Sequence, residues 1–232
     1  VRDEVALLAR DLRQYIESMD GAEKRSERKK PAAQASSKVM SRRDLETLRK
    51  EVQECTHCGL HKTRTKVVFG EGHPNADIMF IGEAPGRDED LQGRPFVGRA
   101  GQLLTKIIES IGLTRQGVFI GNVLKCRPPG NRDPSPEESI ACMPYLRGQI
   151  ELIQPKIICA LGRISGQLLL GGAGKSLASM RGTLHDWGFD DRVKLIVTYH
   201  PAACLRNADY KRPVWEDMKR LREQYRSMGG NI

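Results

Sequence analysis

The chain has 232 residues, with 38 Lys and Arg against 29 Asp and Glu, a formal net charge of +9 and few aromatics. That length suffices for one sizeable α/β domain plus an extension, and the charge favours a polyanionic partner, nucleic acid being the commonest. No apolar run approaches the roughly 20 residues of a membrane span and no secretory signal precedes the first helical pattern, so a cytoplasmic, nucleoid-associated protein without a membrane partner is expected.

Residues 1–20 read as an amphipathic helix with Val5, Leu8, Leu12, Ile16 and Met19 on one face and Gly21 as its stop. Such a helix docks on its own domain or on a partner protein. Residues 21–40 hold Lys, Arg, Glu, Ser and Ala with almost nothing to bury, the composition of a flexible charged linker. A single domain is then expected over 41–232. It opens with a helix whose start is marked by Ser41 and Asp44, an approximate capping box, and whose buried face is Leu45, Leu48 and Val52. From there strands alternate with helices: strands at about 77–82, 117–122, 156–161 and 193–199, helices at about 101–111, 136–153, 162–170 and 213–226. This alternation predicts an α/β fold, a mainly parallel sheet with helices on both faces. Arg181 to Leu184 are placed as an antiparallel edge on the last strand.

Parallel strands put their carboxyl ends on one edge, which is where open α/β sheets bind ligands. The first strand ends in Gly82-Glu83-Ala84-Pro85-Gly86, a loop whose glycines let backbone approach a ligand closely. The second ends at Asn122 and runs into Lys125-Cys126-Arg127-Pro128-Pro129-Gly130-Asn131-Arg132; the last ends in Thr198-Tyr199-His200-Pro201. Glu83, Asn122 and His200 are therefore expected to converge. Phe96, stranded among Gly, Pro and Arg in the segment 93–101, reads as a displayed ring rather than a core residue. Gly171 to Ser176 resemble a phosphate loop, but the first glycine of that motif would fall on Leu169 and the stretch follows a helix, so it reads as a helix stop.

Six cysteines without a secretory signal point to metal or redox chemistry. Cys55 and Cys58 are spaced C-x2-C, and Cys126 and Cys142 can complete a four-thiolate site for either zinc or a [4Fe–4S] cluster; spacing alone leans slightly to zinc. Four thiolates leave no open position, so the metal braces the loops around it. His57 and His61 rank below the cysteines as ligands, and Cys159 and Cys204 read as packing.

These motifs, in this order, resemble the family-four uracil-DNA glycosylases, the iron–sulphur class. The resemblance runs from about Cys55 to Asp217. It rests on Cys55-x2-Cys58, Gly82-Glu83-Ala84-Pro85-Gly86 with Glu89-Asp90, Gly93-Arg94-Pro95-Phe96-Val97-Gly98, Asn122 through Pro129, Asn131-Arg132, Cys142 and His200-Pro201-Ala202-Ala203. It implies a three-layer α/β/α sandwich around a four-stranded, mainly parallel sheet, and a structural [4Fe–4S] cluster on Cys55, Cys58, Cys126 and Cys142. It implies a monomeric, monofunctional enzyme that takes single- or double-stranded uracil-containing DNA and hydrolyses the N-glycosidic bond. In that reading Gly82, Glu83, Gly86, Phe96, Asn122 and His200 bind uracil. Phe96 stacks on the flipped ring, Asn122 reads O4 and N3–H, and His200 donates to O2 of the departing anion. Glu83 serves the water or the cationic sugar. Where the best-known uracil-DNA glycosylases carry an Asp after the residue equivalent to Glu83 the chain has Ala84, so Glu89 or backbone carbonyls can share the water-activating role. Leu205 or Arg206 fills the gap left by the flipped nucleotide, and Lys125, Arg127 and Arg132 contact phosphates. No basic insertion follows Phe96, which implies ordinary turnover without a covalent histidine adduct. Two alternatives stand beside this reading: a metal-braced DNA-binding module without catalysis, and a glycosylase for another deaminated base.

Overall fold

A computed structural model describes residues 44–172, 174–188 and 190–232. The expected amphipathic helix at 1–20 and linker at 21–40 lie outside the described residues, as does Ser41. Short apolar runs make the centre of the fold, a six-stranded sheet in the order β1-β3-β2-β4-β6-β5. Its strands are β1 (Glu71–Gly72), β2 (Ile78–Gly82), β3 (Phe119–Asn122), β4 (Ile157–Leu161), β5 (Leu184–Trp187) and β6 (Asp190–Thr198). The four inner strands are parallel, with Gly82 opposite Asn122, Phe80 opposite Cys159 and Ala160 opposite Val197. Antiparallel β1 and β5 close the two edges. The expected four-stranded sheet is thus corrected to six strands. The expected edge at 181–184 lies further along, at Leu184–Trp187, because His185 and Asp186 pair with Leu195 and Lys194.

Side chains alternate across a strand, and the sheet divides its apolar residues accordingly. Met79, Ile81, Ile158, Ala160, Leu195 and Val197 enter one core. Ile78, Phe80, Ile157, Cys159, Leu161 and Ile196 enter the other. The first core is covered by α1 (Leu45–Gln53), α4 (Pro136–Ile153) and α5 (Arg163–Leu170), the second by α3 (Arg99–Ser110) and α8 (Lys211–Ser227). Between them in the chain lie three short helices: α2 (Arg87–Gln92), α6 (Leu177–Met180) and α7 (Pro201–Arg206).

Each helix has a local cause. Asp44 caps α1, accepting from the Thr47 N–H at 2.7 Å. Leu48 and Val52 then sit fully buried, each contributing about 1.5–3 kcal/mol of transfer free energy. Ser135 and Glu138 form a full capping box on α4, with Pro136 in its first turn. Gly171 ends α5 in the left-handed conformation, its N–H on the Gln167 carbonyl, so the stretch that resembles a phosphate loop is a helix stop. Cys159 and Cys204 are buried in the second core as expected.

The topology also fixes where a ligand can sit. From β2 the chain moves outward to β3, then returns past β2 to β4. The loops after β2 and β4 therefore leave the sheet beside one another and open a crevice.

Candidate active site

A cleft of about 550 Å³ opens at that crevice, walled by Glu83, Pro85, Gly86, Glu89, Phe96, Asn122, Asp133, Arg163, Tyr199, His200 and Arg206 among others. It is built from the carboxyl ends of all four parallel strands.

Asn122 is the last residue of β3 and is only 2 % exposed, and its Oδ1 has no hydrogen-bond partner among the described residues. A buried amide oxygen left without a donor costs about 1–3 kcal/mol, so its setting prepares it for a ligand. The neighbouring Gly82 makes room for it. A Cβ at Gly82 would lie 2.7 Å from Phe96 Cζ and closer still to Asn122 Oδ1.

Phe96 corrects the expectation of a displayed ring. It is 6 % exposed, belongs to the second core and stacks on His200, with ring centroids 5.6 Å apart. It still lines the cleft. Its backbone sits at φ 51°, a region that costs a non-glycine residue about 1–3 kcal/mol. The surrounding contacts over-determine it. Arg115 Nη2 donates to the Pro95 carbonyl at 2.7 Å while paired with Glu71, and the Val97 and Gly98 N–H groups donate to Glu89 Oε1 at 2.9 and 3.2 Å. Gly101, in the first turn of α3, lies so close that a Cβ there would overlap the Phe96 carbonyl.

Glu89 is therefore committed through one oxygen to holding the Phe96 loop. The Gly82, Glu83 and Gly86 carbonyls already accept from Val123, Leu124 and Asp90. These bonds leave Glu83 as the carboxylate at the end of β2 with no such structural task. Burial pushes the Glu83 carboxyl up to about 7, with Asp133 adding and Arg163 opposing.

His200 caps α7: its Nδ1 accepts the Ala202 N–H at 3.1 Å, which leaves the ring proton on Nε2. Burial, helped by the Arg206 charge, pulls it down to about 4. The ring is thus a neutral donor at neutral pH. Its position is set from behind: Thr198 donates to Asp217 at 2.8 Å, Arg181 clasps the same buried carboxylate through two nitrogens, and Tyr199 stacks on Tyr210 at 4.2 Å.

Arg206 lines the cleft on the far end of α7, and Leu205, beside it in the chain, is an apolar side chain 42 % exposed. Of the expected phosphate contacts, Lys125 is corrected: it is 1 % exposed, and burial pulls it down to about 8. Arg132 lines the cleft with its guanidinium held bidentately by Glu138 at 2.6 and 2.8 Å. Arg127 does not line the cleft; its Nε is held by Asn131. Asp133 and Arg163, a pair at 3.2 Å across the cleft, are residues the sequence reading missed. Arg163 follows the carboxyl end of β4, and the rule that singled out the other three strand ends applies to it equally.

On the first-core side, Cys55, Cys58, Cys126 and Cys142 line one small cavity with Leu60, Leu124, Ala141 and Tyr145. All four are free thiols. Arg64 Nη1 donates to Cys126 Sγ at 3.3 Å and the Lys125 N–H to Cys142 Sγ at 3.2 Å. Burial pushes Cys142 up to about 12 and raises Cys126 as well. Thiolates there require a cation to form. The donor set fits an iron–sulphur cluster: four sulfurs around a space, N–H groups aimed at two of them, apolar walls. No three His, Cys, Asp or Glu among the described residues converge to hold one ion. His57 and His61 border the cavity, His57 meeting the Tyr145 hydroxyl and His61 the Cys58 carbonyl.

Residues 69–219 match the family model of the uracil DNA glycosylase superfamily. A type-4 uracil-DNA glycosylase of Sulfurisphaera tokodaii is 49 % identical over 184 residues, 77 % of this chain and 84 % of its own. The chain belongs to the type-4 uracil-DNA glycosylases. Further type-4 relatives are those of Archaeoglobus fulgidus, 45 % identical over 77 % of this chain and 92 % of its own, and of Thermotoga maritima, 44 % identical over 80 % and 96 %. The family match spans all six strands in full: it begins just before β1 and ends within α8, so the whole crevice lies inside it. No helix among the described residues is long and apolar enough to cross a membrane.

Proposed function

We propose that this type-4 glycosylase hydrolyses the N-glycosidic bond of uracil in DNA and leaves an abasic site, the first step of base-excision repair. The observation that carries the reading is the buried Asn122 amide, whose oxygen lacks a partner at a cleft that Phe96 walls and His200 borders. An amide offers one acceptor and two donors. It pairs with uracil N3–H and O4, and presents the wrong pattern to cytosine, whose N3 accepts and N4 donates.

The target base must leave the stack to reach this cleft. Phe96 gives its ring a face, worth roughly 1–3 kcal/mol as base–aromatic stacking. Gly82 and Gly86 let the backbone approach the base. As the C1′–N1 bond breaks, its electrons go to the uracil ring, and the His200 Nε2–H stabilises the charge at O2 as an oxyanion donor does. Water supplies oxygen to C1′; the carboxylate of Glu83 orients that water and faces the cationic sugar. Leu205 fills the vacated stack and Arg206 supports it at the rim. Arg127 and Arg132 contribute positive charge for the phosphates. Cys55, Cys58, Cys126 and Cys142, which line one cavity, would hold a [4Fe–4S] cluster, the group that the type-4 relationship suggests. It supplies bracing and no chemistry at the base, because its four thiolates occupy every iron. The three-layer α/β/α description of this family suits the two cores.

The test is incubation with a labelled single-stranded oligonucleotide carrying one uracil, followed by hot alkali. Scission at that position, lost in Asn122→Ala, is the expected result. An intact strand with the parent chain overturns the reading.

A further inference from the structure

We propose that Lys125 is the positioning residue that joins the cysteine site to the base-reading amide of Asn122. The inference rests on the uracil reading above and goes beyond it by assigning the side chain that holds the pocket in register. Lys125 is among the largest fully buried side chains in the protein. A lysine is almost never buried to this degree without a partner, and this one is bonded at each of its polar groups. Its backbone N–H donates to Cys142 Sγ at 3.2 Å, and its carbonyl accepts the Val68 N–H at 2.8 Å. Its Nζ donates to the Asn122 carbonyl at 2.7 Å and to Gln149 Oε1 at 2.6 Å.

These bonds run in a closed path. Gln149 lies two turns beyond Cys142 on α4, and its other amide atom donates to the Phe69 carbonyl at 2.8 Å. One helix therefore supplies both a sulfur and the anchor for the ammonium. The ammonium in turn grips the last residue of β3. A carbonyl held from behind fixes the peptide plane that leaves Asn122, and with it the direction of a side chain whose oxygen has no partner among the described residues. Neither of the two Nζ acceptors carries a charge. Cys126 follows Lys125 on its loop and Cys142 lies on α4, and the tie to Cys142 Sγ runs through the Lys125 backbone N–H, which a side-chain substitution leaves in place. Lys125 touches no substrate; it acts through Asn122.

The experiment compares the holo-protein, purified with its cluster, with Lys125→Met and Gln149→Met. Four quantities are read on each: iron per chain, affinity for a uracil-free oligonucleotide, inhibition by free uracil, and kcat/KM on a uracil-containing strand. Lys125→Met keeps the side-chain length and removes both Nζ bonds. The expected result is near-parental iron and oligonucleotide affinity, at least tenfold weaker inhibition by uracil, and at least a tenfold fall in kcat/KM. Parental uracil inhibition and kcat/KM at full iron loading overturn the proposal. So does a fall that matches iron loss and vanishes per loaded molecule. If Lys125→Met fails to fold, Gln149→Met decides. A smaller loss of the same pattern supports the link, and unchanged uracil inhibition refutes it. A parent chain that excises no uracil sinks the functional reading and the link with it, whereas excision with insensitive variants sinks the link alone.

Discussion

Replacing Glu83 by Gln tests how this site obtains a carboxylate in a place that disfavours one. Burial raises its pKa from 4.5 to about 7. If the carboxylate orients the water, kcat/KM follows the ionised fraction: about 9 % at pH 6 and about 91 % at pH 8, a rise of about tenfold. An exposed glutamate would be ionised throughout and give no slope. His200 adds no limb here, because burial keeps it near 4 and neutral above pH 5. The stability sign follows from the same shift. Between about 4.5 and 7 the folded chain keeps a proton that the unfolded chain has lost, so stability falls as pH rises through that window. The full difference is on the order of 3 kcal/mol. Glu83→Gln should therefore flatten the pH–rate profile, lower the plateau, and melt higher than the parent at pH 8 but not at pH 5. The assay is single-turnover excision from a uracil-containing single strand between pH 5.5 and 8.5, with thermal melts in the same buffers. A flat profile in the parent, or an unchanged slope in Glu83→Gln, refutes the assignment.

Gly82→Ala places a methyl group against Phe96 and Asn122; the overpacking should cost about 1–3 kcal/mol in thermal stability and lower kcat/KM at least tenfold, read by melting and excision together. Leu205→Ala removes an exposed apolar side chain, so its stability should stay within about 0.5 kcal/mol of the parent. Its excision from duplex should fall several-fold more than from a single strand, where no stack has to be replaced; equal losses on the two substrates would count against the wedge role.

Why some of this site was legible before any coordinates, and some was not, comes down to which forces act locally. Glu83, Asn122 and His200 are far apart in the chain, yet each ends a short apolar run, and parallel strands bring such ends to one edge. Arg163 obeys the same rule at β4 and was accessible to it. The four cysteines were legible as neighbours of one cavity but not as ligands of a particular metal, since thiol spacing serves both zinc and a cluster. The edge strand β1 escaped for a different reason. β1 is two residues long, and its pairing comes from Ile120 and Phe119 across the sheet rather than from its own sequence.

Phe96 and Lys125 were misread in the same direction, and the shared cause is instructive. Both stand among Gly, Pro and Arg, which mark a surface loop. In each case a few directed bonds from distant elements turn the loop inward: Arg115 and Glu89 for Phe96, Gln149 and the Asn122 carbonyl for Lys125. No propensity or periodicity encodes such bonds: apart from the Asn122 carbonyl, three residues back, the partners lie 8 to 24 residues away and on other elements. Yet these inward turns carry the pocket. One makes a wall for a flat ring at a cost in backbone strain, and the other fixes the strand end from which the amide projects. Local rules reach the residues that would touch a base. The residues that hold those in place are found only where the packing is known.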